Sequence, residues 1–199
     1  MSKCFFEIKN TTFFASEENK ILNFNMKIEK PGEIICLLGP SGVGKTTLLR
    51  SIAGLQKISH GEIYLNGKLL SSKETHIQPE FRNVALSFQD NSLFPHYNVL
   101  DNINFGSKRI SKFDFDLSTN ELINILHLNG LQKKFPHEIS AGEAQRVSLA
   151  RSLMSKPYLL LLDEPFSNID QSLKEEIQYS VKKLLKKINL TTIIVTHDS

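Results

Sequence analysis

The sequence predicts an α/β fold: a parallel-strand core with an N-terminal antiparallel β layer and an inserted α-helical lobe. Three observations carry this. The uncharged apolar runs 158–162 and 192–196 have the length and content of strands buried on both faces, as parallel strands between helix layers are. A third apolar run, Ile34–Leu38, passes through a glycine-rich turn directly into a helix-spaced segment, the first unit of such a core. Between residues 89 and 154 the strand pattern fades and helical spacing replaces it, which marks the lobe.

In chain order, Phe6 and Ile8, then Phe24, Met26 and Ile28, alternate in strand fashion, with turn residues at Lys30-Pro31-Gly32; they form the antiparallel layer. After the Ile34–Leu38 strand a helix is expected over Lys45–Ala53, with Gly54 as its C-cap. Residues 62–65 and 68–70 flank Asn66-Gly67, the dipeptide of a two-residue hairpin turn. Residues 84–88 read as another buried strand. In the lobe, Leu122, Ile123 and Leu126 share one helix face, and Val147, Leu149, Ala150 and Leu153 another. A long helix over 171–188 joins the last two strands. It turns Leu173, Ile177, Val181, Leu184, Leu185 and Ile188 inward and Lys182, Lys183, Lys186 and Lys187 to water. The whole reads as one domain over 1–199, with 1–88 and 155–199 as the core and 89–154 as the lobe.

At 199 residues, 40% hydrophobic and 23% charged, the composition is that of a globular chain, not of a disordered, collagenous or disulfide-framed one. The first ten residues carry no apolar stretch of signal-peptide length, and no apolar run is long enough to cross a bilayer, so the chain is expected to stay in the cytosol. Cys4 and Cys36 lack metal-ligand spacing, and Cys36, inside the apolar run 34–38, reads as a buried thiol. The net charge of +3 is mild; without a reader motif or interleaved aromatics, no nucleic-acid partner is expected.

Gly39-Pro40-Ser41-Gly42-Val43-Gly44-Lys45-Thr46, with Thr47 next, fits G-x-x-x-x-G-K-[ST] and lies between a strand and a helix, the context its mechanism needs. Glycines let the backbone fold back so that successive N–H groups point inward. The helix N-terminus adds the positive end of its dipole. These are the candidate ATP contacts, with Lys45 reaching the β- and γ-phosphates and the Thr46 hydroxyl completing one corner around Mg²⁺.

The run Leu159 to Leu162 ends in Asp163-Glu164-Pro165. Two carboxylates thus sit at the C-terminal tip of a buried strand, where ligands collect in open α/β sheets. Asp163 is expected to hold Mg²⁺ through its water shell. Glu164, on the other face of the pleat, is expected to act as general base on a water aimed at the γ-phosphate. Such a pair alone is often merely solvated; the phosphate cradle gives it its reading. Together they describe a Mg-nucleotide triphosphatase.

Ile139-Ser140-Ala141-Gly142-Glu143-Ala144-Gln145-Arg146-Val147 is similar to L-S-G-G-Q-x-Q-R-V, and with it the chain resembles the ABC ATPase family over nearly its whole length. The resemblance implies a P-loop NTPase core of RecA type and two copies that sandwich ATP. The signature residues Ser140, Ala141, Gly142 and Glu143 would act in trans, Ser140 and Gly142 meeting the γ-phosphate held by the opposite subunit. Ser140 is also expected to cap a helix beginning nearby. Ala141 stands where the family has glycine and Glu143 where it has glutamine; a methyl and a carboxylate beside the phosphate suggest a tuned site.

The same resemblance assigns Gln89 to the Q-loop that senses Mg²⁺ and the attacking water, though it also reads as a polar strand end. Ser167-Asn168-Ile169-Asp170 resembles the S-A-L-D of the D-loop, where Asp170 either organises the dimer contact or caps helix 171–188. His197, directly after the last strand, matches the switch histidine that contacts the γ-phosphate. An aromatic upstream of the cradle would stack on adenine, Phe14 in preference to Phe13; both also fit as core residues.

Residues 89–99, with Asn102-Ile103 and Phe105-Gly106, resemble the F-Q-x₃-L-F-P-H-x-T-V…N-I-x-F-G stretch of solute-import ATPases. This implies a groove for a helix of a transmembrane permease, with Leu93, Phe94 and Tyr97 as docking residues; they read equally as lobe packing. The expected protein is an ATP-hydrolysing importer subunit, a homodimer or paired with a second ABC ATPase, held through its permease at the cytoplasmic face of the plasma (inner) membrane. Family members usually continue well past the histidine, so a C-terminus shorter than usual is expected. A nucleotide-gated binding module is the alternative. A non-transport ABC ATPase would call for coiled-coil or linker insertions, which the sequence lacks.

Overall fold

Alternation along the chain sorts the strands into two sheets. The computed structural model describes residues 4–14, 20–40, 42–88, 93–108 and 115–196. Its elements run β1 (Phe6–Phe14), β2 (Lys20–Ile28), β3 (Ile34–Leu38), α1 (Lys45–Ala53), β4 (His60–Leu65), β5 (Lys68–Ser71) and β6 (Val84–Ser87). Then follow α2 (Val99–Phe105), α3 (Thr119–Ile125), α4 (Ala141–Met154), β7 (Leu159–Asp163), α5 (Gln171–Lys187) and β8 (Thr191–Thr196). One sheet, in the order β2-β1-β4-β5, is antiparallel; the other, β3-β8-β7-β6, is parallel.

In the antiparallel layer Phe6, Ile8, Ile28, Ile63 and Leu65 are buried, while Glu7, Lys9 and Lys27 occupy the intervening, wetter positions, the period of two that a half-solvated sheet requires. Asn66 (φ 49°) and Gly67 (φ 73°) join β4 to β5, both left-handed as the two-residue hairpin turn demands. The sequence reading of this turn holds.

β7 is buried along its whole length, and its leucines divide by parity. Leu159 and Leu161 join Leu49 and Ile52 of α1 and the inner face of the antiparallel sheet. Leu160 and Leu162 join α2, α3, α4 and α5 through Ile103, Leu122, Leu153 and Val181. The helices of the 89–154 stretch therefore share one apolar cluster with the sheet and with α5. Truncating any of these leucines to alanine would cost about 2–5 kcal/mol. The lysines at 182, 183, 186 and 187 are exposed, as expected.

β3 departs from expectation. It lies at an edge of the parallel sheet among the described strands, Leu38 is 61% exposed, and Cys36 is an exposed free thiol, not a buried one. Ile34, Cys36, Phe166, Val181, Leu185 and Ile194 line an open groove of about 390 Å³ there. An apolar run identifies a strand but carries no information on whether both of its faces have neighbours.

The C-terminal end of α1 is held in two ways. Gly54 (φ 87°) closes it, its N–H donating to the carbonyls of Arg50 and Ser51. Arg82, 1% exposed, donates from Nη1 to the carbonyls of Ser51 and Ile52 at 3.0 Å, from Nε to Ile77 at 2.6 Å, and from Nη2 to Ser71 Oγ at 2.8 Å. A cation at the negative end of a helix is favourably placed, and burial lowers its pKa to about 10. Among the described residues no helix is long and apolar enough to cross a membrane.

Candidate functional site

The loop leaving β3 turns back through Gly42 (φ 81°) and Gly44 (φ 98°) and enters α1 at Lys45. Gly44 is the N-cap and offers no side-chain cap, so the first N–H groups of α1 remain for an anion. Lys45 Nζ donates to the carbonyls of Gly39 at 2.5 Å and Pro40 at 2.9 Å; its ammonium thus spans the mouth of the loop. Val43 is 50% exposed at the rim, and Thr47 is half-buried. Ser41 lies outside the described residues.

Thr46 and Asp163 come together, the threonine hydroxyl donating to the carboxylate. Burial is the largest influence on Asp163 and raises its pKa; the neighbouring Glu164 charge raises it further, while the Thr46 hydrogen bond, Lys45 and Arg50 lower it. A carboxylate disfavoured by burial, with a hydroxyl oxygen beside it, is a donor set suited to a small hard cation. Among the described residues no group of three or more His, Cys, Asp or Glu could hold a metal.

Glu164 does not continue the pleat. Its backbone is left-handed (φ 48°), uncommon for a residue with a side chain, and its N–H donates to the Val195 carbonyl at 2.9 Å. The strand ends at Asp163 and a turn, not pleat alternation, separates the two carboxylates. Glu164 is half-buried.

Ser140 is the N-cap of α4. Its Oγ accepts from the Glu143 N–H at 3.2 Å, and its own N–H donates to Glu143 Oε2 at 2.7 Å, a reciprocal capping box. Glu143, expected to add charge beside a phosphate, thus spends its carboxylate on its own helix; the Ser140 N–H holds its pKa below the usual carboxylate value. Ser140 and Ala141 are exposed at the helix tip. Gly142 faces the loop after β7, where a Cβ would lie 2.4 Å from the Asn168 carbonyl oxygen. Asp170 occupies the N-cap of α5, but its side chain makes no cap hydrogen bond, which removes one of its two expected roles.

Two groups escaped the sequence reading. Gln145, 2% exposed, donates from Nε2 to the Glu164 carbonyl at 2.8 Å and to Ser167 Oγ at 3.2 Å, and its Oε1 accepts from the Asn168 N–H at 3.1 Å. Asn102, fully buried, braces the segment before α2: its Oδ1 accepts from the Phe94 N–H at 2.9 Å, and its Nδ2 donates to the carbonyls of Phe94, Tyr97 and Asn98. A buried amide inside a polar stretch leaves no periodic trace.

Leu93, Phe94 and Tyr97 are each half-buried. The Phe94 ring lies 4.5 Å from that of Phe105 and 5.7 Å from that of Tyr97, with the Arg151 guanidinium 5.0 Å above it. Gln89 and His197 fall outside the described residues. So does the side chain of Phe14, whose backbone ends β1. Phe13 is wholly buried, edge-on to Phe24 at 6.1 Å, and is a core residue.

A protein-family model described as ABC transporter matches residues 21–167. The chain is 38% identical over 198 residues to the Fe(3+) ions import ATP-binding protein FbpC of Escherichia coli O157:H7, covering 98% of this chain and 56% of that protein. It is 43% identical over 173 residues to the trehalose/maltose import ATP-binding protein MalK of Thermococcus litoralis, covering 85% and 46%. The chain thus spans about half the length of the curated relatives it matches. A solved ATP-binding cassette, a dimer in a post-hydrolysis state bound to ADP and Pi, superposes with a TM-score of 0.81 at 29% identity, covering 97% of this chain and 88% of that one.

Proposed function

The chain belongs to the ABC transporter family, and from that membership we propose that it is the ATP-binding and ATP-hydrolysing subunit of a solute importer. The observation that carries this reading is the meeting of Thr46 with Asp163, which brings the phosphate loop and the paired carboxylates into one site. The chain's own residues account for each requirement of phosphoryl transfer, which is mostly positioning and charge stabilisation.

The N–H groups of 39 and 41–47 take the phosphates. Lys45 exchanges the carbonyls of Gly39 and Pro40 for β- and γ-phosphate oxygens, a stronger, charge-assisted pairing. Thr46, Asp163 and Gln89 would hold Mg²⁺, which would supply neutralisation of the phosphate charge. Glu164 accepts the proton of the attacking water, with His197 against the γ-phosphate and Phe14 against adenine. Ser140 and Gly142 complete the site of a second subunit, presenting the capped end of α4 to its γ-phosphate; Ala141 and Glu143 flank them and Asp170 lies at the contact.

The partners in this reading are a second copy or a paired ABC ATPase and the transmembrane permease subunits, gripped through Leu93, Phe94 and Tyr97 at the cytoplasmic face of the membrane. Relatives named for iron and trehalose/maltose import support import as the direction of transport. Steady-state ATPase assays on the wild type and Glu164→Gln test the reading. The variant is expected to lose roughly 10²- to 10⁴-fold in turnover while still binding nucleotide, and equal turnover in the two would refute it.

A further inference from the structure

Four polar groups converge between α4 and the loop that follows β7. Gln145 sits one turn inside the capped end of α4. Its amide orientation is dictated by its neighbours. Nε2 faces the carbonyl oxygen of Glu164 and the hydroxyl of Ser167, while Oε1 faces the N–H of Asn168; the reverse orientation would set two acceptors against each other. Ser167 Oγ donates in turn to the Glu164 carbonyl at 3.1 Å, closing the triangle.

The contact is tight as well as polar. Gly142, one turn earlier on α4, has its backbone against the Asn168 carbonyl, with no room for a methyl. The residue whose carbonyl receives the Gln145 bond is the one with the left-handed backbone, Glu164. Such a conformation persists where the surroundings over-determine it, and Gln145 reaches it from another element.

We infer that Gln145 is a positioning residue that locks the capped end of α4 to the main chain of Glu164, so that the two move as one piece. The inference rests on the proposed ATPase reading. In that reading Glu164 serves the nucleotide of its own subunit and the α4 end serves the nucleotide of the other. Gln145 is then the intramolecular strut joining the two half-sites.

The experiment is an ATPase and nucleotide-binding series on the full chain. Gln145→Met keeps length and apolar bulk but removes every hydrogen bond. It is expected to lower kcat roughly 10- to 100-fold, the range that small misplacement of a reacting group produces, with the Kd for MgATP unchanged within about twofold. Gln145→Glu sets a carboxylate against the Glu164 carbonyl and is expected to be lower still. Gly142→Ala, which pushes the same loop away, is expected to be non-additive with Gln145→Met. If Gln145→Met does not fold, Ser167→Ala removes the serine corner of the triangle, leaving of its three bonds only that from Gln145 to Glu164, and is expected to lower kcat by roughly 2- to 10-fold at constant Kd.

A folded Gln145→Met, or in its place Ser167→Ala, with wild-type kcat would overturn the inference, as would a loss confined to nucleotide affinity. Glu164→Gln separates the two levels: if it is inactive while Gln145→Met is fully active, the strut alone fails. If Glu164→Gln keeps full turnover, the proposed function itself fails.

Discussion

The hydroxyl of Thr46, second residue of α1, hydrogen-bonds the carboxylate of Asp163, last residue of β7. The contact ties the start of one helix to the end of a strand more than a hundred residues later. It leaves a buried carboxylate with only partial compensation for its lost hydration.

Asp163→Asn should therefore stabilise the nucleotide-free protein at neutral pH. Burial raises the Asp163 pKa in the folded state, so the folded protein binds its proton more tightly than the unfolded chain does. That favours folding below the unfolded value, about 3.9, and is lost as pH rises through the folded value. Asparagine keeps the acceptor for Thr46 without the charge. Thermal melts should show Asp163→Asn above wild type at pH 7, by roughly 2–4 °C for each kcal/mol relieved, with the gap closing near pH 4.

Lys45→Met should separate folding from binding. The ammonium holds the carbonyls of Gly39 and Pro40, both at the rim of the loop, so unfolding free energy should fall by no more than about 1–3 kcal/mol. Loss of a charge-assisted contact to phosphate should weaken ATP binding roughly 10- to 150-fold. Fluorescent-nucleotide titration beside urea melts checks both.

Ser140→Ala should cost about 0.5–2 kcal/mol of stability, the value of an N-cap side chain, measurable by urea denaturation without nucleotide. Glu143→Gln keeps an acceptor for the Ser140 N–H and should cost less. The pKa of Glu143 is held down mainly by that N–H, so its contribution is present above about pH 4.3 and fades as pH falls through the folded value. Wild type and Glu143→Gln should converge there.

Arg82→Ala should be among the most damaging single changes in the chain. It strips the carbonyls of Ser51, Ile52 and Ile77 of a buried partner and should cost about 3 kcal/mol or more. Next to it His76 Nε2 donates to the Gly54 carbonyl at 3.1 Å while Nδ1 accepts from Arg82 at 3.3 Å, since a carbonyl cannot donate and a guanidinium cannot accept. The ring is thus held neutral, its pKa lowered first by burial and then by the Arg82 charge. That contribution is present above about pH 6.5 and lost as pH falls through the folded value. Urea melts of wild type should weaken between pH 7.5 and 5, and His76→Gln should flatten the slope.

Much of the fold was legible because its signals are local. The bounds of α1 and its Gly54 cap, the Asn66-Gly67 turn and the inward face of α5 each follow from residues within a few positions of one another. The Thr46 and Asp163 meeting was legible because the chemistry of a bound triphosphate requires both. The exposed flank at Cys36, the left-handed turn at Glu164 and the Gln145 strut were not. Each depends on what a distant segment does: which strand lies beyond β3, where the ladder to β8 ends, how α4 meets the loop after β7. A lone arginine such as Arg82 likewise reads as a surface charge until the carbonyls around it are known.

The pocket that holds Arg82 also bears on how this chain can change over generations. Gly54 is excluded from carrying a side chain by the guanidinium, whose Nε would lie 2.3 Å from a Cβ there, and Ser71 and His76 are kept polar by what they give to or take from it. A lineage that lost the arginine would release Ser71 and His76 at once and relieve the crowding at Gly54, whose left-handed backbone (φ 87°) would still favour glycine, and one that first altered the glycine would be under pressure to replace the arginine. Positions 54, 71, 76 and 82 should therefore drift as a linked quartet, although 28 residues separate the first from the last.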